Sequence, residues 1–249
     1  MARKTEWWHQ FFTSFRPVFD GIPVRSNNAI ARFIIKKLGL KPGQNLLDCP
    51  CGIGRIAFPL ARKGIRVTGV DFMPEYIDEM TLKARKKKLK IDGVCEDMRR
   101  IKFKNQFDGG ANIWTSIGFF DKDSDNLLVI KKMFRALKPG GKFMASVTNR
   151  DYVISHFTPH NWFDTGRIKV LQEATFDYST SRLNAVWNFI RDGKETPHEM
   201  LVRIYSFHEL VAMFRTAGFV NIEGFGSIKE EPITYNTPMI YIVGTKPKK

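Results

Sequence analysis

The sequence predicts an α/β fold: a mostly parallel sheet with helices on both faces and an antiparallel β-meander inserted late in the chain. Between residues 45 and 148, short apolar runs alternate with segments of helical period at the spacing of βαβ units. The first of these runs ends in an acid and enters a glycine-containing turn, "NLLDCPCGIGR". After Asn149 the alternation gives way to three consecutive strand-like runs and then resumes.

The elements follow in order. "EWWHQFFTSFRPVFD", residues 6–20, places Trp7, Phe11 and Phe15 four apart with Trp8 and Phe12 beside them, an amphipathic helix expected to end near Pro17. "SNNAIARFIIKKLGL" is a second helix, capped at Ser26 or Asn27 and stopped at Gly39. The period then changes. "NLLDC" is a buried strand, "RIAFPLARKG" a helix closed by Gly64, "IRVTGVD" a strand, and "MPEYIDEMTLKARKKKL" a helix with Pro74 near its start. "KIDGVCED" and "QFDGGANIWTS" are strands, "DNLLVIKKMFRALKPGG" a helix ended by Pro139 and two glycines, and "KFMASVTN" a fifth strand. "RIKVLQEATFDYS", "SRLNAVWNFIR" and "HEMLVRIYSF" form the meander, joined at "STSR" and "RDGK". A helix, "FHELVAMFRTAGF", and the strands "VNIEGFGS" and "MIYIVGTK" complete the chain. One domain over residues 1–249 is expected, with an aromatic N-terminal cap helix at 1–24 and the meander, 150–206, as an inserted substrate cap.

Composition narrows the function. No uninterrupted apolar run approaches the length of a membrane span, and Glu6, His9 and Gln10 interrupt the N-terminal apolar stretch, so neither a membrane protein nor a secretory signal is expected. Three cysteines cannot all pair, which agrees with a reducing compartment, and a cytoplasmic protein is expected. Cys49 and Cys51 lack the further ligands of a zinc site and the spacing of a redox pair, so no metal is expected. The net charge of +15 keeps RNA binding as a rival reading. Its densest cluster, "KARKKKLK", places Lys83, Lys86, Lys87 and Lys90 along one helix side opposite Leu82 and Leu89, the pattern of a solvated face.

Gly52, Gly54 and Ala57 satisfy the loose pattern G-x-G-x-x-G/A after a strand, with Asp71 ending the next strand as a ribose acid. A dinucleotide-binding oxidoreductase would share that pattern. Asp48, however, would repel a diphosphate, whereas a phosphate-free ligand carrying an amino group and a sulfonium would be attracted, and S-adenosylmethionine is such a ligand. Asp97, in "CEDM", is placed for the exocyclic amine of adenine. Three acids at three successive strand ends form one rim of the sheet, where open α/β sheets bind ligands.

With "LDCPCGIGR", "VTGVDF", "CEDM", "FDGGANIWTSIGFF" and "LKPGGKF" in this order, the chain resembles class I S-adenosylmethionine-dependent methyltransferases over nearly its full length. The likeness extends to the branch that methylates small molecules. The resemblance implies a Rossmann-like sheet of seven strands whose last strand, "MIYIVGTK", runs antiparallel, and S-adenosylmethionine as cofactor. It implies contacts to the cofactor from Asp48, Cys51, Gly52, Gly54, Arg55, Asp71, Phe72, Met73, Asp97 and Met98, with Asn112, Trp114 and Arg25 at its methionine end. Pro50 stands where the family's first motif has a glycine, which removes an N–H and shifts a contact. "NIWTS" has neither the nucleophilic cysteine of RNA cytosine C5-methyltransferases nor the Asn-Pro-Pro-aromatic signature of base-amine methyltransferases, which counts against RNA.

The expected partner is a small-molecule acceptor methylated on N or O, bound near Trp7, Trp8, Phe12 and Ser116 by a monomer or homodimer. In-line methyl transfer asks for alignment and exclusion of water. A general base, if used, would come from His156, His160, Glu199 or Tyr205.

Overall fold

The computed structural model describes residues 7–21 and 23–248. Met1–Glu6 and Ile22 of the expected N-terminal cap, and Lys249, lie outside the described residues. Trp8–Asp20 (α1) and Val24–Leu38 (α2) precede Asn45–Asp48 (β1), Ala57–Arg62 (α3), Arg66–Asp71 (β2), Pro74–Lys86 (α4) and Ile91–Cys95 (β3). Phe107–Asn112 (β4), Asp123–Ala136 (α5) and Leu137–Thr148 (β5) follow, then Arg150–Ser155 (α6) and His160–Asp164 (β6). Lys169–Asp177 (β7), Arg182–Arg191 (β8), Lys194–Arg203 (β9), Phe207–Ala217 (α7), Val220–Phe225 (β10) and Met239–Thr245 (β11) complete the order.

Seven strands form one sheet in the order β10-β11-β5-β4-β1-β2-β3. Strands β1 to β5 pair in parallel, while β11 lies antiparallel between β5 and β10, as the last strand was expected to run. The central strands are apolar on both faces because both are covered. Leu46 is fully buried in a core with Ile34 of α2, Leu60 of α3 and Met80 of α4, and Leu47, one residue on, faces Val129 of α5 and Phe214 of α7.

A second sheet has the antiparallel order β6-β7-β8-β9. Asp192 and Gly193, both at positive φ (53° and 73°), make a two-residue turn between the paired Arg191 and Lys194, the backbone a tight hairpin needs. Helix α1 packs beneath this sheet: Phe11 meets Trp187 and Phe189 of β8 at ring distances of 5.5 and 5.7 Å.

Several elements depart from the sequence reading. Helix α1 runs through Pro17 to Asp20, because Val18 and Phe19 are buried and only one backbone hydrogen bond is lost. Helix α2 begins at Val24, so Ser26 and Asn27 lie inside its first turn and cap nothing; Gly39, at φ 67°, does close it. Leu137 is already extended, so the "KPGG" segment belongs to β5 and not to the preceding helix. The short α6 and the largely exposed β6 were not expected, and they add a fourth strand to the meander.

Candidate active site

The ends of β1 and β2 and the segments after β3 and β4 surround a cavity of about 390 Å³, roofed by α1 and by β8 and β9. That volume suits a small organic ligand. At its floor the backbone N–H of Gly52 donates to Asp71 Oδ2 at 2.8 Å and that of Met73 to Oδ1 at 3.1 Å. Each carboxylate oxygen keeps a second lone pair for a ligand hydroxyl. Burial pushes the Asp71 carboxyl up to about 6, against the lowering pull of these N–H donors.

Gly52 lines the cavity at φ 54°, a backbone that L side chains rarely adopt. Gly54 does not line it. A Cβ at Gly54 would sit 2.7 Å from Met80 Cγ, so this glycine serves the packing of α4 and not cofactor approach.

Beside the floor lie three buried polar atoms with no hydrogen-bond partner: Asp48 Oδ2, Arg55 Nη1 and Asn112 Oδ1. Burial, and then the charge of Asp71, push the Asp48 carboxyl up to about 8, with Arg55 opposing. The Arg55 guanidinium stacks 3.6 Å from the Trp114 ring centroid and 4.4 Å from that of Phe19. Burial lowers its pKa to about 10, and Asp48 pulls the other way. Asn112 donates through Nδ2 to Cys49 O at 2.8 Å and, fully buried, does not reach the cavity.

Asp97 lies two residues beyond β3 and lines the cavity. Arg99 forks onto it, Nε at 2.9 Å and Nη2 at 2.6 Å from Oδ2. Burial raises its pKa, but the Arg99 hydrogen bonds outweigh that and hold it below the usual carboxylate value. Cys51, Phe72, Met98, Trp114 and Ser116 also face the cavity. Met73 is buried at the start of α4 without lining it, and Arg25 is exposed on the first turn of α2, away from it.

Of the aromatic residues expected around the acceptor, Trp8 and Phe12 line the cavity. Trp7 instead packs edge-on against Phe119 at 5.2 Å in the core.

None of the four expected bases lines the cavity. His156 ends α6 and stacks on Tyr152 at 4.3 Å, exposed. His160 and Glu199 fall on the outward face of the second sheet, because strand alternation turns Met200 and Val202 inward. The Tyr205 hydroxyl donates to Asp123 Oδ1 at 2.8 Å, and burial raises its pKa. The lining residues that sequence reasoning missed include Tyr76, Phe119, Phe120, Trp187 and Met200. The one available signal was alternation in the meander, which groups Met200 with Val202 without saying which face is inward.

Residues 46–141 match the family model described as "Methyltransferase domain". A ubiquinone biosynthesis O-methyltransferase of Coxiella burnetii is 31% identical over 148 residues, 59% of this chain and 58% of that protein, so the match spans little more than half of the relative. A protein of the same name from Pelagibacter ubique is 30% identical over 176 residues, 63% of this chain and 71% of its own length. The chain belongs to the class I S-adenosylmethionine-dependent methyltransferases. Its fold matches the CcbJ methyltransferase of Streptomyces caelestis at a TM-score of 0.81 and 18% identity, covering 94% of this chain and 96% of that one. The family assignment sets aside the dinucleotide oxidoreductase.

The residues present fit the family's cofactor, S-adenosylmethionine. Buried polar atoms are rarely left unpaired. Here Arg55, which lines the cavity with its Nη1 unpaired, and Asp71, whose oxygens keep free lone pairs above the Gly52 N–H, suit a ligand bearing a carboxylate and ribose hydroxyls; the expected contacts Asp48 and Asn112 lie outside the described lining, beneath it, each with one unpaired oxygen.

Proposed function

We propose that this methyltransferase transfers a methyl group to a nitrogen or oxygen atom of a small molecule, working as one domain in which α1 and the 150–206 insertion cap the acceptor. The observation that carries the reading is the cavity itself, lined on one side by Asp71, Glu96 and Asp97 and on the other by aromatic rings. The bound cofactor supplies an electrophilic methyl on a sulfonium. Asp71, steadied by the Gly52 and Met73 N–H groups, accepts the ribose hydroxyls. Cys51, Phe72 and Met98 pack around the nucleoside, Asp97 faces the adenine side, and Arg55 holds the carboxylate of the methionine end. Trp8, Phe12 and the second sheet exclude water, which favours a displacement whose main demand is alignment.

The relatives' role as ubiquinone biosynthesis O-methyltransferases supports a small-molecule acceptor. The position of the basic charge supports it too. Lys86, Lys87, Lys88 and Lys90 lead from the end of α4 into the amino end of β3, whereas the cavity lies at the carboxyl ends of the strands, with Arg55 as the basic residue among its described lining.

Isothermal calorimetry with S-adenosylhomocysteine, followed by a methyl-uptake screen of small amines and hydroxy compounds, tests the proposal. Submicromolar to micromolar binding and uptake by a small molecule are expected. A protein that ignores the nucleoside refutes the reading, and uptake by RNA alone replaces the acceptor class.

A further inference from the structure

We infer that the acceptor is an uncharged, planar aromatic molecule whose attacking atom needs no side chain of the protein to remove its proton. The inference rests on the methyltransferase reading of the cavity and deepens it to a substrate class. The walls divide by chemistry. Every ionisable side chain among the described lining residues stands on the strand-end side or beside it: Cys51, Arg55, Asp71, Tyr76, Glu96 and Asp97. The opposite part, built by α1, the 113–120 segment and the inner face of β8 and β9, presents rings such as Trp8, Phe12, Phe119 and Trp187, with Met200 and Val202 between them.

The polar side-chain groups of that part are three hydroxyls and the indole N–H groups of Trp8 and Trp187, of which Trp187 Nε1 is buried without a partner. Thr115 and Thr148 bond each other at 3.0 Å, and Thr115 also accepts the Thr148 N–H at 2.9 Å, which leaves Ser116 and the Trp187 N–H, one hydroxyl and one donor, as handles for an acceptor. A charged acceptor would meet no counter-ion in this part, and a sugar would bring more hydroxyls than Ser116 and the Trp187 N–H can pair; both are strongly disfavoured in apolar surroundings. Flat rings, by contrast, gain area and edge-to-face contacts from walls of this kind.

The absence of a base in this part of the lining follows from the same geometry. His156, His160, Glu199 and Tyr205 are turned away, and His198, on the same face of β9 as Met200 and Val202 but outside the described lining, has its Nε2 2.7 Å from Ser14 Oγ of α1. The acceptor therefore brings its own available lone pair while uncharged: a ring nitrogen or an aromatic amine. Its lone pair forms the new bond to the methyl carbon, the electrons of the breaking C–S bond return to sulfur as a thioether lone pair, and any acceptor proton leaves to water.

The test uses the whole protein saturated with S-adenosylhomocysteine, titrated calorimetrically with benzimidazole and aniline and, for comparison, with glucosamine and glycine. The aromatic probes are expected to bind roughly tenfold or more tightly than the polar ones. Trp187→Leu is expected to weaken benzimidazole by roughly tenfold while leaving S-adenosylhomocysteine affinity within about twofold, and that second affinity shows that the variant is folded. Across a series of substituted benzimidazoles, the pH at which methylation reaches half its plateau is expected to follow the pKa at which each ring nitrogen loses its proton. Polar probes binding as tightly as aromatic ones, or a pH midpoint common to all acceptors, overturns this inference alone. No binding of S-adenosylhomocysteine overturns the methyltransferase reading beneath it as well.

Discussion

Asp48 and Asp71 end adjacent strands, both nearly fully buried, and burial pushes their carboxyls up to about 8 and about 6. For Asp48 this makes stability fall as pH rises. Between pH of about 4 and 8 the unfolded chain has released this proton while the native protein keeps it, so the native state binds more protons and loses its advantage toward alkaline pH. In the ligand-free protein Asp48→Asn is expected to raise the melting temperature at pH 8 and to change it far less at pH 5, an effect on the order of several kcal/mol, read by thermal melts at the two pH values. Asp71 faces the other way in function. Asp71→Ala is expected to weaken S-adenosylhomocysteine by roughly tenfold or more, since charge-assisted hydrogen bonds are lost. In the unmodified protein that affinity should also decline below pH of about 6, where Asp71 takes up a proton. Calorimetry across pH checks both, and an affinity unmoved by either change would show that the ribose is held elsewhere.

Between residues and whole chain, two joints hold the cap over the strand ends. Gly118, at φ 123°, accepts the Arg203 N–H at 2.8 Å and donates its own N–H to Asn126 Oδ1 at 2.8 Å, tying the 113–120 segment to β9 and α5. A Cβ at Gly118 would lie 2.2 Å from the Arg203 carbonyl oxygen. Both the clash and the positive φ oppose a side chain, so Gly118→Ala is expected to destabilise by about 3 kcal/mol or more, seen as a lower urea midpoint. The second joint is Arg16 of α1, forked onto Glu79 of α4 at 2.8 and 2.7 Å. Each partner is about a quarter exposed, so Arg16→Ala should cost at most about 1 kcal/mol. Its signature is expected to be local: faster hydrogen exchange across α1, with β4 unchanged.

Across the whole molecule, cofactor binding and folding are linked, because the floor and the roof of the cavity come from distant parts of the chain. S-adenosylhomocysteine at about a hundred times its Kd contributes about 2.7 kcal/mol to the native state. For a chain of this size a rise in melting temperature of roughly 5–10 °C is expected, measured by scanning calorimetry. Much of this architecture was legible in sequence. The helical and strand periods placed β1, β2 and β3 within about two residues, whereas the fourth strand ends at Asn112 and not Ser116, and the fifth starts at Leu137 and not Lys142. Helix α6 and strand β6 were not legible, since β6 is exposed along most of its length and carries no alternation. The end of α1 was misread because a local rule, the break at proline, is outweighed by burial of Val18 and Phe19.

By itself the sequence determined the strand-end rim: Asp48, Gly52, Asp71 and Asp97 lie within short βαβ units, where local periodicity and turn chemistry leave few alternatives. Only the tertiary structure decided what faces that rim. The rings of α1 and the inner side chains of β8 and β9 come from opposite ends of the chain, and a strand's alternation states two faces without saying which is buried. That choice turned Met200 and Val202 toward the cavity and His160 and Glu199 away, because packing against α1 rewards the apolar face.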